Sequence, residues 1–73
     1  MYPLDALKAL ADETRLRLIS LLKAGELTVS ELVQILDQSQ PRVSRHLRLL
    51  NEAGLISRFQ EGTWVFYHLA RSK

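Results

Sequence analysis

Apolar residues recur at helical spacing along the first 53 positions and then switch to alternation. Leu4, Leu7, Leu10 and Ala11 share one face of a short helix over residues 3–11, with Pro3 in its first turn. Asp12 is an N-cap for a second helix from Glu13 to Ala24. There Leu16, Leu18, Ile19, Leu21 and Leu22 form a stripe wide enough for a central core helix, and Gly25 follows as its C′ residue. Glu26-Leu27-Thr28 reads as short and extended. Thr28 and Glu31 have capping-box spacing ahead of Leu32, Val33, Ile35 and Leu36, which predicts a third helix over about 29–37.

Asp37-Gln38-Ser39 leaves a tight turn before a fourth helix, capped by Ser39 and tolerating Pro41 in its first turn. With Gln40 at zero on a wheel of about 100° per residue, Leu49, Ala53, His46, Leu50, Val43 and Leu47 occupy one continuous arc. Gln40, Asn51, Ser44, Arg48, Pro41, Glu52 and Arg45 occupy the other, so one face is core and the other polar. The helix is expected to end near Ala53 with Gly54 at C′. Two alternating runs follow, Leu55 to Gln60 and Trp64 to Leu69, joined by Glu61-Gly62-Thr63, in which glycine supplies the positive φ of a hairpin turn. In the second run either Trp64, Phe66 and His68 or Val65, Tyr67 and Leu69 must pack on the helices. The expected fold is mainly α: a winged helix-turn-helix of four helices plus a two- or three-stranded wing, with Leu27-Thr28 as the candidate third strand.

Length and composition narrow this further. Seventy-three residues suffice for one small domain, with its core over 4–69. Fifteen leucines against three glycines and two prolines favour helices. No apolar run approaches membrane-spanning length, and the absence of cysteine excludes a disulfide framework or a thiolate metal site. Met1-Tyr2-Pro3 lacks the charged region of a signal peptide and Asp5 and Lys8 interrupt Leu4 to Leu10, which leads to the expectation of a cytoplasmic protein. The net charge of +2 is unevenly placed. Residues 1–37 carry four Lys/Arg against six Asp/Glu, and residues 38–73 carry six against two. A basic second half suits an anionic partner.

The polar face of the fourth helix carries glutamine, serine and two arginines, side chains able to read base edges or hold phosphates in a major groove. Arg42 sits at the edge of the apolar arc, better placed for a phosphate. Two helix N-termini, at Thr28 and Ser39, flank the turn and favour phosphate through their free N–H groups. Other chemistry is not supported. His46 and His68 are expected to be neutral imidazoles with ordinary hydrogen bonds, and Ser44 and His46, two positions apart on one helix, point to different sides rather than forming a nucleophile–base pair. No enzyme, cofactor or metal site is expected. Each glycine is accounted for by a helix end or a turn, which leaves none for a phosphate-cradling loop.

Ala9-Leu10-Ala11-Asp12-Glu13-Thr14-Arg15-Leu16-Arg17, Thr28-Val29-Ser30-Glu31-Leu32, Ser39-Gln40-Pro41-Arg42-Val43-Ser44-Arg45-His46-Leu47, Glu52-Ala53-Gly54-Leu55-Ile56 and Gly62-Thr63-Trp64-Val65-Phe66-Tyr67 resemble successive blocks of the ArsR/SmtB family of bacterial winged-helix repressors. The resemblance covers about residues 4–69. It implies a homodimer on a pseudo-palindromic operator, released by an inducer. It places base contacts on Gln40, Pro41, Ser44 and Arg45, within a recognition helix of about 40–53. The family's Cys-x-Cys metal box has no counterpart in Val33-Gln34-Ile35, and a C-terminal ligand-bearing interface helix has none before Arg71-Ser72-Lys73. The wing of about 55–69 has no basic tip, since Gln60-Glu61-Gly62-Thr63 carries one acid and no base.

The sequence thus leads to the expectation of a sequence-specific duplex-DNA-binding repressor. Thr28, Ser30, Ser39, Arg42, Arg48 and Arg58 are its expected backbone contacts. A weak homodimer through the first helix is expected, because a core this small gains from burying Tyr2, Leu4 and Leu7 against a second copy. The alternatives are an N-terminal DNA-targeting or interaction module of a longer protein, and a winged helix that binds only protein.

Overall fold

The computed structural model describes residues 3–70, with side chains from Ala6 onward. Helices α1 (Pro3–Leu10), α2 (Glu13–Lys23), α3 (Val29–Leu36) and α4 (Gln40–Glu52) combine with strands β1 (Leu27–Thr28), β2 (Ile56–Glu61) and β3 (Trp64–Leu69). The candidate third strand is present. β1 and β2 flank β3 in one antiparallel sheet of order β1-β3-β2. The hairpin is tighter than expected, because Glu61 pairs with Trp64 and leaves only Gly62 and Thr63 in the loop, with Gly62 at φ +60°.

Local chemistry sets the helix starts. The Asp12 carboxylate accepts from the Arg15 N–H at 3.1 Å. Thr28 and Glu31 form a complete capping box: the Glu31 N–H donates to Thr28 Oγ1 at 3.2 Å and the Thr28 N–H donates to Glu31 Oε1 at 2.9 Å. Asp37 ends α3 at φ 55°, ψ 44°, its N–H donating to the Val33 carbonyl at 3.0 Å. Ser39 takes the N-cap position of α4 with Pro41 in the first turn, but the expected cap bond is absent. The Ser39 side chain makes no capping hydrogen bond.

The core is an aliphatic cluster in which Leu18, Leu32, Val43, Leu47 and Leu50 are fully buried, joined by Leu22, Leu36, Ile56 and Tyr67. Each such leucine contributes about 1.5–3 kcal/mol relative to an exposed one. Two expectations about the helices are corrected. In α1 the inward residue is Ala9, 7% exposed, whereas Leu7 is 66% exposed and Ala11 is exposed. Ala9 faces Ala53, also 7% exposed, across a shared cleft, and residues this small let α1 approach α4 closely. Leu16, at 50%, lies outside the α2 core stripe; on α3, Ile35 is 47% exposed. Tyr2, the Leu4 side chain and Arg71-Ser72-Lys73 lie outside the described residues.

Strand register decides which side of the wing is core. Ile56 and Leu69, Arg58 and Tyr67, and Gln60 and Val65 are cross-strand partners on the side that holds buried Ile56 and Tyr67. Ser57 and His68, Phe59 and Phe66, and Glu61 and Trp64 share the outer side. There the Phe59 and Phe66 rings stack with centroids 5.4 Å apart, His68 lies 5.3 Å from Phe59, and Trp64 is 60% exposed.

Candidate nucleic-acid interface

α4 is fixed from behind and open in front. Val43, Leu47 and Leu50 bury its apolar arc, and the turn Asp37–Ser39 ties its start to α3. From that turn the Gln38 side chain reaches α2, where its Nε2 donates to the Thr14 hydroxyl at 3.2 Å. On the opposite arc Gln40, Pro41, Arg45 and Arg48 are exposed and Ser44 is half-buried, so the four expected base contacts share one solvent-facing surface with Arg48. Arg42 is exposed beside them. So is Ser39, whose hydroxyl is not used for capping. Ser30 is exposed in the first turn of α3, and Arg58 is exposed on β2.

Thr28 is corrected as a phosphate contact. It is 7% exposed and its hydroxyl both accepts from the Glu31 N–H and donates to Glu31 Oε1 at 3.1 Å. No donor remains for a ligand. Its role is to start α3, which the capping-box spacing had already indicated.

The expected base contacts divide by direction. On the wheel Ser44 and Arg48 lie about 40° and 80° from Gln40, opposite the core arc, whereas Arg45 and Arg42 lie at about 140° and 200°. Those last two line a cleft of about 700 Å³ between the starts of α2 and α4, together with Asp12, Thr14, Arg15, Ser39, Pro41 and His46. Asp12, Thr14 and Arg15 were not among the expected site residues. The signal for them was a helix start in α2 whose caps were legible but whose position against α4 was not.

Charges in this cleft act on one another. Burial holds the His46 imidazole below its usual range; the Asp12 carboxylate opposes that, while Arg15, Arg42 and Arg45 reinforce it. His46 Nδ1 is buried without a partner, which corrects the expectation of an ordinary hydrogen bond there. His68 does have one, its Nδ1 lying 2.8 Å from the Leu69 carbonyl. The Asp12 carboxyl is held below the ordinary carboxylate range by the Arg15 backbone N–H, against the effect of burial, with help from nearby His46 and Arg15 charge. The Arg15 side chain turns the other way. Its Nε donates to the Ala9 carbonyl and its Nη2 to the Lys8 carbonyl at 3.4 Å, closing the C-terminal end of α1. Among the described residues no group of three or more His, Cys, Asp or Glu side chains could hold a metal ion.

A helix-turn-helix whose second helix presents an uncapped, arginine-bearing polar face, backed by a three-stranded wing, defines a winged helix-turn-helix protein. Residues 12–58 match the family model described as bacterial regulatory protein, arsR family. The chain belongs to that family. It is 51% identical over 71 residues to the arsenical resistance operon repressor of Escherichia coli (strain K12), covering 96% of this chain and 61% of that protein. Among solved structures it superposes on HlyU from Vibrio cholerae N16961 with a TM-score of 0.89 at 39% identity, covering 94% of this chain and 75% of that one. A solution structure of a homodimeric winged helix-turn-helix DNA-binding domain, Mb0332 from Mycobacterium bovis, gives 0.89 at 31% identity, covering 93% and 63%. The chain spans between 55% and 61% of the length of four arsenic-resistance regulators it matches.

Proposed function

We propose that this chain binds duplex DNA sequence-specifically as a transcriptional repressor in the cytoplasm, with α4 in the major groove and no catalytic role. The observation that carries the reading is the division of α4 into an arc anchored by buried Val43, Leu47 and Leu50 and a largely exposed arc of hydrogen-bonding and cationic side chains. In this reading Gln40, Pro41 and Ser44 meet base edges and Ser30, Ser39, Arg42, Arg48 and Arg58 the backbone, while Arg45, the fourth expected base contact, lines the cleft toward α2. The relatives described as repressors and the homodimeric DNA-binding domain support the same reading. No helix of the described residues is long and apolar enough to cross a membrane.

The proposal includes one domain in residues 1–73 and a weak homodimer in which α1 takes part. Among the described residues of α1 and α2, Leu7 and Leu16 are the large apolar side chains left exposed, and a second copy would bury them. Titration against a pool of random duplexes, followed by selection of the bound sequences, tests the function. The expected result is salt-dependent affinity for any duplex with a steep preference for a two-fold-symmetric subset. No affinity at low salt refutes it and favours a protein-only winged helix.

A further inference from the structure

The α2–α4 cleft has more positive charge than its own contacts use. It brings three guanidinium groups together with one carboxylate. The Asp12 carboxylate is engaged by the Arg15 N–H, and the Arg15 guanidinium by the carbonyls of Ala9 and Lys8. Thr14 accepts from Gln38, which leaves its hydroxyl proton free. Among the described residues no hydrogen bond or ion pair uses the side chains of Ser39, Arg42 or Arg45. His46, at the base of the cleft, feels Asp12, Arg15, Arg42 and Arg45 together, which places these charges in one neighbourhood.

Exposed arginines with no protein partner on the flank of a helix, lining one cleft with free hydroxyls, suit a tetrahedral oxyanion. Guanidinium forks suit phosphate oxygens, and hydroxyls add neutral donors at other angles. Base edges lie elsewhere, at the groove floor under the residues opposite the core arc. Arg45 is turned away from that line by roughly the angle separating it from Arg48, about 60°. We propose that the cleft between the starts of α2 and α4 is a seat for one phosphate group, with Arg42 and Arg45 as its cationic walls and the hydroxyls of Ser39 and Thr14 as its neutral donors. The seat rests on the DNA-binding reading, takes a backbone phosphodiester, and makes Arg45 an anchor instead of a base reader.

The experiment is a phosphate-by-phosphate scan. Single phosphates of a selected duplex are replaced by neutral methylphosphonates, and affinity is measured at several salt concentrations for the unaltered chain, Arg42→Ala and Arg45→Ala. The unaltered chain is expected to lose about tenfold in affinity at one phosphate per half-site, a charge-assisted contact. Arg45→Ala is expected to lose a similar factor on the unmodified duplex, to become indifferent to that one replacement, to keep its base preference, and to shallow the salt slope by about one unit. Arg45→Ala that stays sensitive at every phosphate while changing preference at one base pair overturns the proposal. Inorganic phosphate titrated without DNA gives the second arm, read from amide shifts. Saturable shifts confined to residues 12–15 and 39–46, with duplex affinity unaffected by Arg45→Ala, overturn the backbone assignment in favour of a free phosphorylated ligand. If the unaltered chain binds no duplex at any salt, the DNA reading fails, and the phosphate titration then decides alone: shifts at Arg42 and Arg45 support an anion seat, and their absence overturns it.

Discussion

Gln38 and Thr14, 24 positions apart, are joined by a 3.2 Å hydrogen bond that ties the turn before α4 to the first turn of α2. The bond is one-sided. Gln38 Nε2 is satisfied, while Gln38 Oε1 is buried with no partner. Removing the hydroxyl leaves a part-buried amide unpaired at both ends, whereas removing the amide leaves a hydroxyl that opens on the cleft. Thr14→Val is therefore expected to destabilise the fold by about 1–3 kcal/mol, and Gln38→Met by less. Urea denaturation of the two variants checks the order, and equal or inverted losses would show that the bond is not what holds the turn.

Acid should weaken the fold in two separate steps. His46 has a folded pKa below 6.5, so between its folded value and 6.5 the unfolded chain binds more protons and stability falls as pH drops through that window. Asp12 behaves as a depressed carboxylate: its contribution is complete above 3.8 and is lost as pH falls through its lower folded value. His46→Leu is expected to remove the first step and leave the second. Thermal midpoints measured from pH 7 to pH 3 check this, and a variant with an unchanged slope between pH 7 and pH 5 would exclude His46 as the source.

Asp37 sits in the left-handed region at φ 55°, a conformation that most side chains adopt only at a cost of roughly 1–2 kcal/mol. A β-branched residue has no local hydrogen bond to offset it. Asp37→Val is expected to lower stability by about 1–2 kcal/mol and Asp37→Gly to leave it level or raise it slightly. Chemical denaturation distinguishes them; a valine variant as stable as the parent would mean that the turn can take another shape.

Thr28 gives a prediction that separates folding from binding. Its hydroxyl and backbone are both held by Glu31. Thr28→Ala is expected to cost about 1–2 kcal/mol of stability and to leave the salt slope of duplex binding unchanged. A double-mutant cycle with Glu31→Ala should show coupling, because the two side chains cap each other. A lowered salt slope in folded Thr28→Ala would restore Thr28 to the phosphate contacts.

Local chemistry within one turn of helix was largely legible in the sequence, the missing Ser39 cap bond being the exception. Asp12, the Thr28–Glu31 box and the two arcs of α4 were all read from spacing alone. Failures came where a neighbour distant in sequence decides. Leu7 and Leu16 fit a helical stripe, but the stripe gives only the width of an apolar face and not which flank finds a partner, so Ala9 was passed over for larger residues. Gln40, Pro41, Ser44 and Arg45 lie on the polar arc of α4, yet Arg45 lines the cleft toward α2 and Ser44 does not, because α2 stands on one side of α4 only. That depends on the α2–α4 packing, which no pattern within α4 reveals.

Thr28 belongs at once to β1, where it pairs with Phe66 of the wing, and to α3, which it caps. One residue thus joins the sheet to the helix-turn-helix, through its backbone on the β3 side and through its hydroxyl and N–H on the α3 side. A substitution there therefore acts on the edge of the sheet and on the start of α3 together.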